Sequence, residues 1–298
     1  MPVPTFPSDA EARHEEGFLN SADHLRLFWQ RYTPPSPRAT VVVLHGAGDH
    51  SGRYPAVTTA LVRAGFQVAL VDLRGHGQSD GRRWHVDDFG DYLSDLDALM
   101  GKLDRDGIAG GRLFVLAHSQ GGLVAALWGL AHPGRAAGFV LSSPYFALAA
   151  RPPLWKLAAA RVLGRVVPWL PIATGIDVAD LTSDPELRRW TERDPLYGRS
   201  ATPGWLEEST RAQRDLAGRA GSWQAPLLVL AAGADRIADL AATRAFVDAA
   251  PAADKRLVVY QKLRHEIFNE VQRDLPIGEA IAWLSARAPR DGVRGTPC

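Results

Sequence analysis

The chain has one cysteine in 298 residues, Cys298, and it is the last of them. A lone terminal thiol provides no disulfide framework and no thiolate metal cage. Net charge is almost absent too, because 34 Lys and Arg stand against 33 Asp and Glu, leaving +1. The two signs are interleaved, so no basic footprint for nucleic acid exists and nucleic acid is not an expected partner. No apolar run approaches the roughly 18 residues that span a bilayer. Met1-Pro2-Val3-Pro4-Thr5 lacks the basic start and continuous apolar stretch of a secretion signal. A cytoplasmic protein is therefore expected. Histidines with metal-ligand spacing are missing as well: His265-Glu266 has no second histidine four residues on. Neither a metal nor another cofactor is expected.

Apolar residues make up 46% of the sequence and charged residues 22%, values ordinary for a globular protein long enough to bury a large core. Residues 1–12 are proline-rich and polar, and loose order is expected there. Runs at Glu15 to Phe18 and Leu25 to Tyr32 flank Asn20-Ser21-Ala22-Asp23 and predict an edge hairpin. Thereafter short β-branched runs (Thr40–Leu44, Gln67–Val71, Arg112–Ala117, Ala137–Leu141, Pro226–Ala231, Arg256–Tyr260) alternate with helix-length segments (Tyr54–Ala64, Asp87–Leu103, Gln120–Ala131, Leu240–Ala249, Leu275–Arg287). Strands joined through helices require crossovers, which predicts an α/β fold with a mostly parallel, doubly wound sheet covered on both faces. Ligands of such sheets bind at the carboxyl ends of the strands. Between Tyr145 and Pro203 the alternation stops; no convincing strand is visible, while prolines at 152, 153, 168 and 171 and three tryptophans are. That interval is too long for a structureless loop and predicts an inserted helical cap. The expected division is core at 1–144, cap at 145–203 and core again at 204–298.

The stretch that organises the chemistry is Leu113-Phe114-Val115-Leu116-Ala117-His118-Ser119-Gln120-Gly121-Gly122. It reads as strand, tight turn, helix. A serine at the apex of such a turn is pushed outward, and its neighbours must be small because the chain nearly folds on itself. Ser119 is the candidate nucleophile; the plainer alternative is a serine capping a helix. A hydroxyl nucleophile needs a base, and the base needs a group to fix its tautomer. Of nine histidines only His132 and His265 follow Ser119. His132 precedes Pro133-Gly134 at a helix end, whereas His265 follows the last predicted strand, so His265 is the candidate base. Asp235, in the turn after the Leu227–Leu230 run, is the candidate acid; Asp239 is read as the cap of the next helix. For the oxyanion, the amide of Gln120 lies at a helix N-terminus, and Ala47 in His45-Gly46-Ala47-Gly48 is the second candidate donor.

These motifs resemble the α/β-hydrolase fold, and within it the monoacylglycerol lipase and lysophospholipase family. The resemblance rests on His45-Gly46-Ala47-Gly48-Asp49-His50-Ser51-Gly52-Arg53-Tyr54, on Asp72-Leu73-Arg74-Gly75-His76-Gly77-Gln78-Ser79-Asp80-Gly81, on Gly233-Ala234-Asp235-Arg236-Ile237-Ala238-Asp239 and on the His265 turn. It spans about residues 40 to 270, with Asp184-Pro185-Glu186-Leu187 and Asp194-Pro195-Leu196 resembling the end of the family's cap. Two positions depart from the pattern: Asp49 stands where the family usually has Glu, and Thr191, beside Trp190, stands where it carries a cap tyrosine associated with the polar end of a monoglyceride. The 72–81 segment lacks the spacing of a nucleotide fingerprint and reads as a tight turn held by Asp72 and Arg74. His45 and His118 read as shaping loops rather than moving protons.

The resemblance and the apolar cap (Leu154, Trp155, Leu157, Val162, Leu163, Val166, Val167, Trp169, Leu170 and Ile172, with Arg151, Lys156, Arg161 and Arg165 as its charges) together imply a serine hydrolase of medium or long acyl esters, monoacylglycerols or lysophospholipids, working through an acyl-enzyme. Candidate substrate contacts are Gly46, Arg53, Leu148, Leu170, Ile176 and Trp190. The cap could also touch lipid aggregates or a membrane peripherally. Alternatives on the same residues are a carboxylesterase for short or xenobiotic esters and an acyltransferase. A non-catalytic receptor on this fold is the alternative from another class.

Overall fold

The computed structural model describes residues 3–108, 113–149, 164 and 166–288. In chain order the elements are β1 (Arg13–Asn20), β2 (Arg26–Thr33), β3 (Ala39–Leu44), α1 (Pro55–Arg63), β4 (Phe66–Val71), α2 (Gly90–Arg105), β5 (Leu113–His118), α3 (Gln120–Ala131) and β6 (Gly138–Ser142). Then follow β7 (Ile172–Ala173), α4 (Val178–Leu181), α5 (Pro185–Arg193), β8 (Ser200–Ala201), α6 (Pro203–Arg219), β9 (Leu227–Ala232), α7 (Leu240–Ala249), β10 (Lys255–Tyr260) and α8 (Asp274–Arg287). The main sheet runs β1-β2-β4-β3-β5-β6-β9-β10. Its body from β4 to β10 is parallel, and β2 joins β4 antiparallel. The hairpin pairs Arg13 with Thr33 through to Asn20 with Arg26.

Strands β3, β4, β5 and β9 are buried at every residue, which is why each reads as a continuous apolar run rather than an alternation. Side chains at alternate positions feed two cores. One contains Leu96 and Leu99 of α2, Leu123 and Leu127 of α3, and Leu216 of α6; the other contains Val57 and Leu61 of α1 and Ile277 and Leu284 of α8. The expected α/β architecture is present, and observed ends differ from the expected ones by no more than three residues. Arg112, the expected first residue of β5, lies outside the described residues, as do Cys298 and the cap residues Arg151, Leu154, Trp155, Lys156, Leu157, Arg161, Val162, Leu163 and Arg165.

Three features differ from the sequence reading. The N-terminal residues are packed: Phe6 stacks on Tyr32 at 5.1 Å and Glu11 pairs with Arg63 at 2.7 Å. Helix α6 was not expected, because its buried stripe uses Gly204, Ser209 and Ala212 beside Trp205 and Leu216, so its apolar period is weak. Between Tyr145 and Pro203, where no strand was expected, β7 and β8 form a two-residue antiparallel ladder, too short to leave a pattern. Among the described residues no helix is long and apolar enough to cross a membrane.

The 72–81 turn has the expected structural role. Asp72 accepts from the amides of Ser51 and Gln78 at 2.7 and 2.8 Å, and Arg74 pairs with the fully buried Asp95 at 2.7 Å. At the other side of the site, α3 leaves β5 so tightly that a Cβ on Gly121 would stand 2.5 Å from the His45 carbonyl oxygen and 2.8 Å from that of Leu44. Gly→Ala inside a helix ordinarily gains about 1 kcal/mol; here both obstacles are backbone and the sign reverses. Gly121→Ala is expected to lose about 1–2 kcal/mol net, read as a lower urea midpoint at unchanged slope.

Candidate active site

Ser119 sits between β5 and α3 with φ 52° and ψ −118°, a conformation rarely tolerated by a residue with a side chain. Its amide donates to the Ser142 carbonyl at 3.0 Å, and its own carbonyl accepts from the amides of Gly122 and Tyr145 at 2.9 and 3.0 Å. Its hydroxyl makes no capping bond to α3, so the plainer alternative of a helix cap fails. It is engaged instead with the imidazole Nε2 of His265, at 2.8 Å. On the far side of the ring, Nδ1 lies 2.8 Å from Asp235 Oδ2. The other oxygen of Asp235 accepts from the amides of Ile237 and Ala238 at 2.8 and 2.9 Å. The carboxylate is thus fixed in orientation, and the neutral imidazole carries its proton on Nδ1 with the Nε2 lone pair facing Ser119.

All three side chains are buried, and the electrostatics follow. Burial disfavours protonated His265, but the adjacent Asp235 carboxylate and its hydrogen bond outweigh that and hold the imidazole above its ordinary pKa. Burial likewise raises Asp235, yet His265 and the two amides bring it below the usual carboxylate value. His118, whose ring centroid is 4.8 Å from that of His265, is pushed down to about 3 by burial and by that neighbour. It is neutral at physiological pH and held against Ser142, 3.1 Å from its carbonyl, as a wall rather than a proton carrier. His45 accepts the Leu73 amide at 2.9 Å and shapes its loop, as expected. His132 forms the C-terminal cap of α3, and Asp239 caps α7 through the Ala241 amide at 2.6 Å.

Ser119 and His265 open onto a cavity of about 540 Å³. Gly46 and Ala47 line it at the serine end, and a Cβ on Gly46 would lie 3.2 Å from that of Ser119. Gln120 begins α3 beside them, its side-chain oxygen accepting from Trp205 Nε1 at 2.6 Å. Leu148 and Ile176 line the cavity as expected. Arg53, Leu170 and Trp190 do not. Arg53 is buried behind the wall, bound to Asp49 and to Glu266 at 2.8 Å each, and the indole of Trp190 lies over its guanidinium at 5.0 Å. Leu170 faces outward, 44% exposed.

Among the polar residues of the wall that the sequence reading did not place there are Asp49, Glu266 and Tyr197. The first two adjoin quoted motifs and could have been found by their position. Tyr197 had no signal, since it simply follows Asp194-Pro195-Leu196. Thr191, where a tyrosine was sought, instead accepts from Arg53 at 2.8 Å and donates to Leu187 at 2.9 Å.

An outward serine on a strand-to-helix turn, engaged by an Asp-held histidine at the carboxyl edge of a parallel sheet, is the arrangement of the serine hydrolases of the α/β-hydrolase fold. The chain belongs to the family described as serine aminopeptidase, S33, which matches residues 35–272. It is 32% identical over 277 residues to a monoacylglycerol lipase of Mycolicibacterium smegmatis, covering 92% of this chain and 98% of that one. It is 31% identical to the monoglyceride lipase of Homo sapiens, covering 94% and 93%. The crystal structure of Paleococcus ferrophilus monoacylglycerol lipase superposes with a TM-score of 0.78 at 29% identity, covering 88% of this chain and 99% of that one.

Protonated His265 has no lone pair for the serine proton, so if Ser119 is the nucleophile it is expected to be unreactive below the pKa of the imidazole and to gain reactivity above it. Because that pKa is raised, fluorophosphonate labelling is expected to switch on above about pH 6.5, the value of a free histidine. In Asp235→Asn the switch should move to lower pH while the rate falls by about 10⁴-fold. A labelling rate with no pH dependence between 5 and 8 would contradict the geometry.

Proposed function

We propose that this chain hydrolyses carboxylic esters of lipids, monoacylglycerols foremost, with Ser119 as nucleophile, His265 as general base and acid, and Asp235 as its orienting carboxylate. The observation that carries the reading is the unbroken contact from Asp235 through His265 to Ser119, ending in a cavity lined by both polar and apolar side chains. As Ser119 Oγ attacks the acyl carbon, His265 Nε2 takes its proton and the carbonyl oxygen becomes an oxyanion. In this reading the amides of Ala47 and Gln120 receive that charge, helped by the dipole of α3. Collapse breaks the carbon–oxygen bond, and His265 returns the proton to the leaving alcohol. Water then repeats the sequence on the acyl-enzyme and regenerates the hydroxyl.

Leu148, Ile172, Ile176, Leu181, Leu206 and Ile237 line the apolar portion and suit an acyl chain. Asp49, Glu266 and Tyr197 suit the hydroxyls of the leaving alcohol. The names of the relatives, monoacylglycerol lipase and monoglyceride lipase, support the same class. Peptide hydrolysis fits less well, because Asp49 and Glu266 are both committed to Arg53 and neither is free to receive an ammonium group. We further propose that residues 145–203 act as a cap and that their outward apolar side chains, Val166, Trp169 and Leu170, meet lipid aggregates.

Fluorophosphonate labelling of the wild type, lost in Ser119→Ala, is the first expectation. Across p-nitrophenyl esters kcat/KM should rise from acetate toward medium and long chains; activity confined to acetate and butyrate would favour a short-chain esterase. Tyr197→Phe should raise KM for a monoacylglycerol by about three- to tenfold, the worth of one hydrogen bond, and leave p-nitrophenyl esters unchanged.

A further inference from the structure

A second cavity, of about 230 Å³, lies beside the catalytic one, with Trp84 and Tyr197 contributing to both walls. It is built at a seam. Gly75 and Arg83 come from the core turn, while Pro171 and the 195–200 segment come from the interval between β6 and α6. The amide of Gly198 donates to the Gly48 carbonyl across that seam at 2.7 Å. Its wall differs in kind from that of the first cavity, where Asp49 and Glu266 are present: among the described residues no carboxylate lines it, but Arg83 and Arg199 do.

Neither arginine has a carboxylate partner among the described residues. Each is held by a backbone carbonyl instead, Arg83 Nη1 on Gly77 at 2.7 Å and Arg199 Nη2 on Glu192 at 2.6 Å. These bonds orient the guanidinium groups without neutralising them, and the remaining N–H donors stay available. Two forked cations around an acid-free cavity match an oxyanion with several acceptor oxygens, which phosphate provides. The surface next to it is apolar. Pro171 lies between Leu170, 44% exposed, and Ile172, 43% exposed, and Arg82 covers the ring of the half-exposed Trp169 at 5.8 Å. Basic groups set among outward apolar side chains suit a ligand that is charged at one end and greasy at the other.

We propose that this second cavity binds a phosphate-class anion, the headgroup of an anionic lipid in the surface on which the cap rests. The proposal rests on the lipid-facing reading of the cap and adds to it a specific charge requirement. An occupied site would bridge core and cap, so binding also stabilises their seam by mass action.

The test is vesicle flotation of the purified full chain with phosphatidylcholine alone and with phosphatidylcholine containing phosphatidylglycerol, alongside a thermal-shift titration with soluble glycerol 3-phosphate. Wild type should partition to the anionic vesicles about tenfold or more better than to neutral ones. Arg83→Gln/Arg199→Gln should lose that preference and keep its p-nitrophenyl ester turnover. Arg214→Gln/Arg244→Gln removes the same charge from exposed positions on α6 and α7 and should retain the preference. A melting temperature raised by glycerol 3-phosphate in wild type but not in Arg83→Gln/Arg199→Gln supports the anion site with a soluble phosphate as its source. Binding to neutral and anionic vesicles alike would keep the lipid-facing cap and overturn the anion site. Equal losses in both double variants, or no response to either phosphate source, would overturn it as well.

Discussion

The backbone of Ser119 is held at a positive φ, and that constraint governs what surrounds it. A side chain in this conformation costs about 1–3 kcal/mol and persists only where neighbours over-determine it. Here they do: its amide is fixed to the end of β6, and its carbonyl is shared by Gly122 and Tyr145. In return the serine leaves the helix axis with its hydroxyl unspent on capping and engaged by His265. The glycines at 121 and 122 are consequences of the same turn. A Cβ on Gly122 would lie 2.8 Å from that of Pro144, just as one on Gly121 would strike the carbonyls closing β3.

A second constraint is electrostatic. Arg53 is 1% exposed and stands between Asp49 and Glu266, while Tyr54 donates to Asp49 at 2.8 Å and Asn269 to Glu266 at 3.0 Å. A buried ion network of this kind contributes little net stability, because desolvation offsets the Coulomb gain. Its effect is positional. It joins the loop after β3, the loop carrying His265 and, through Thr191, helix α5. One cation offsets only half the charge of the cavity's two carboxylates, and both still favour the protonated imidazole; the strongest charge acting on it is that of Asp235, which also fixes its tautomer. His50, bound to Asp194 at 2.8 Å, makes a parallel tie between the same loop and the cap.

The core and the contact of Ser119, His265 and Asp235 were legible in the sequence because each is a local consequence of chain geometry. Buried parallel strands need unbroken apolar runs, and the β5–α3 turn needs small residues. The order serine, aspartate, histidine left one histidine that follows the last strand. Longer-range partnerships were not legible. Arg53 lies in the motif after β3 and was read as a substrate contact, but its partner Glu266 lies more than two hundred positions away and draws it inward. Helix α6 was missed since small and polar residues on its buried face erase the usual stripe. Tyr197 was missed for the opposite reason: its surroundings carry no pattern, and only the folded path of the cap brings it to the cavity.

That division has a physical basis that bears on how chemistry and preference are partitioned in this protein. The proposed nucleophile, base and acid, together with the proposed oxyanion amides, sit at the carboxyl ends of β3, β5, β9 and β10, where hydrogen-bonded strands fix each loop's starting point to within a residue. The apolar wall comes largely from outside the main sheet, from Leu148 and the stretch around Ile172, Ile176 and Leu181, where no long ladder sets the register. A strand end tolerates few residue types, so it writes its identity into the sequence. A cap wall needs only enough apolar surface in about the right place, and many sequences satisfy it. The reaction is therefore encoded in a few rigid positions, and selection of the acyl chain and alcohol is spread over a surface whose members can be exchanged singly.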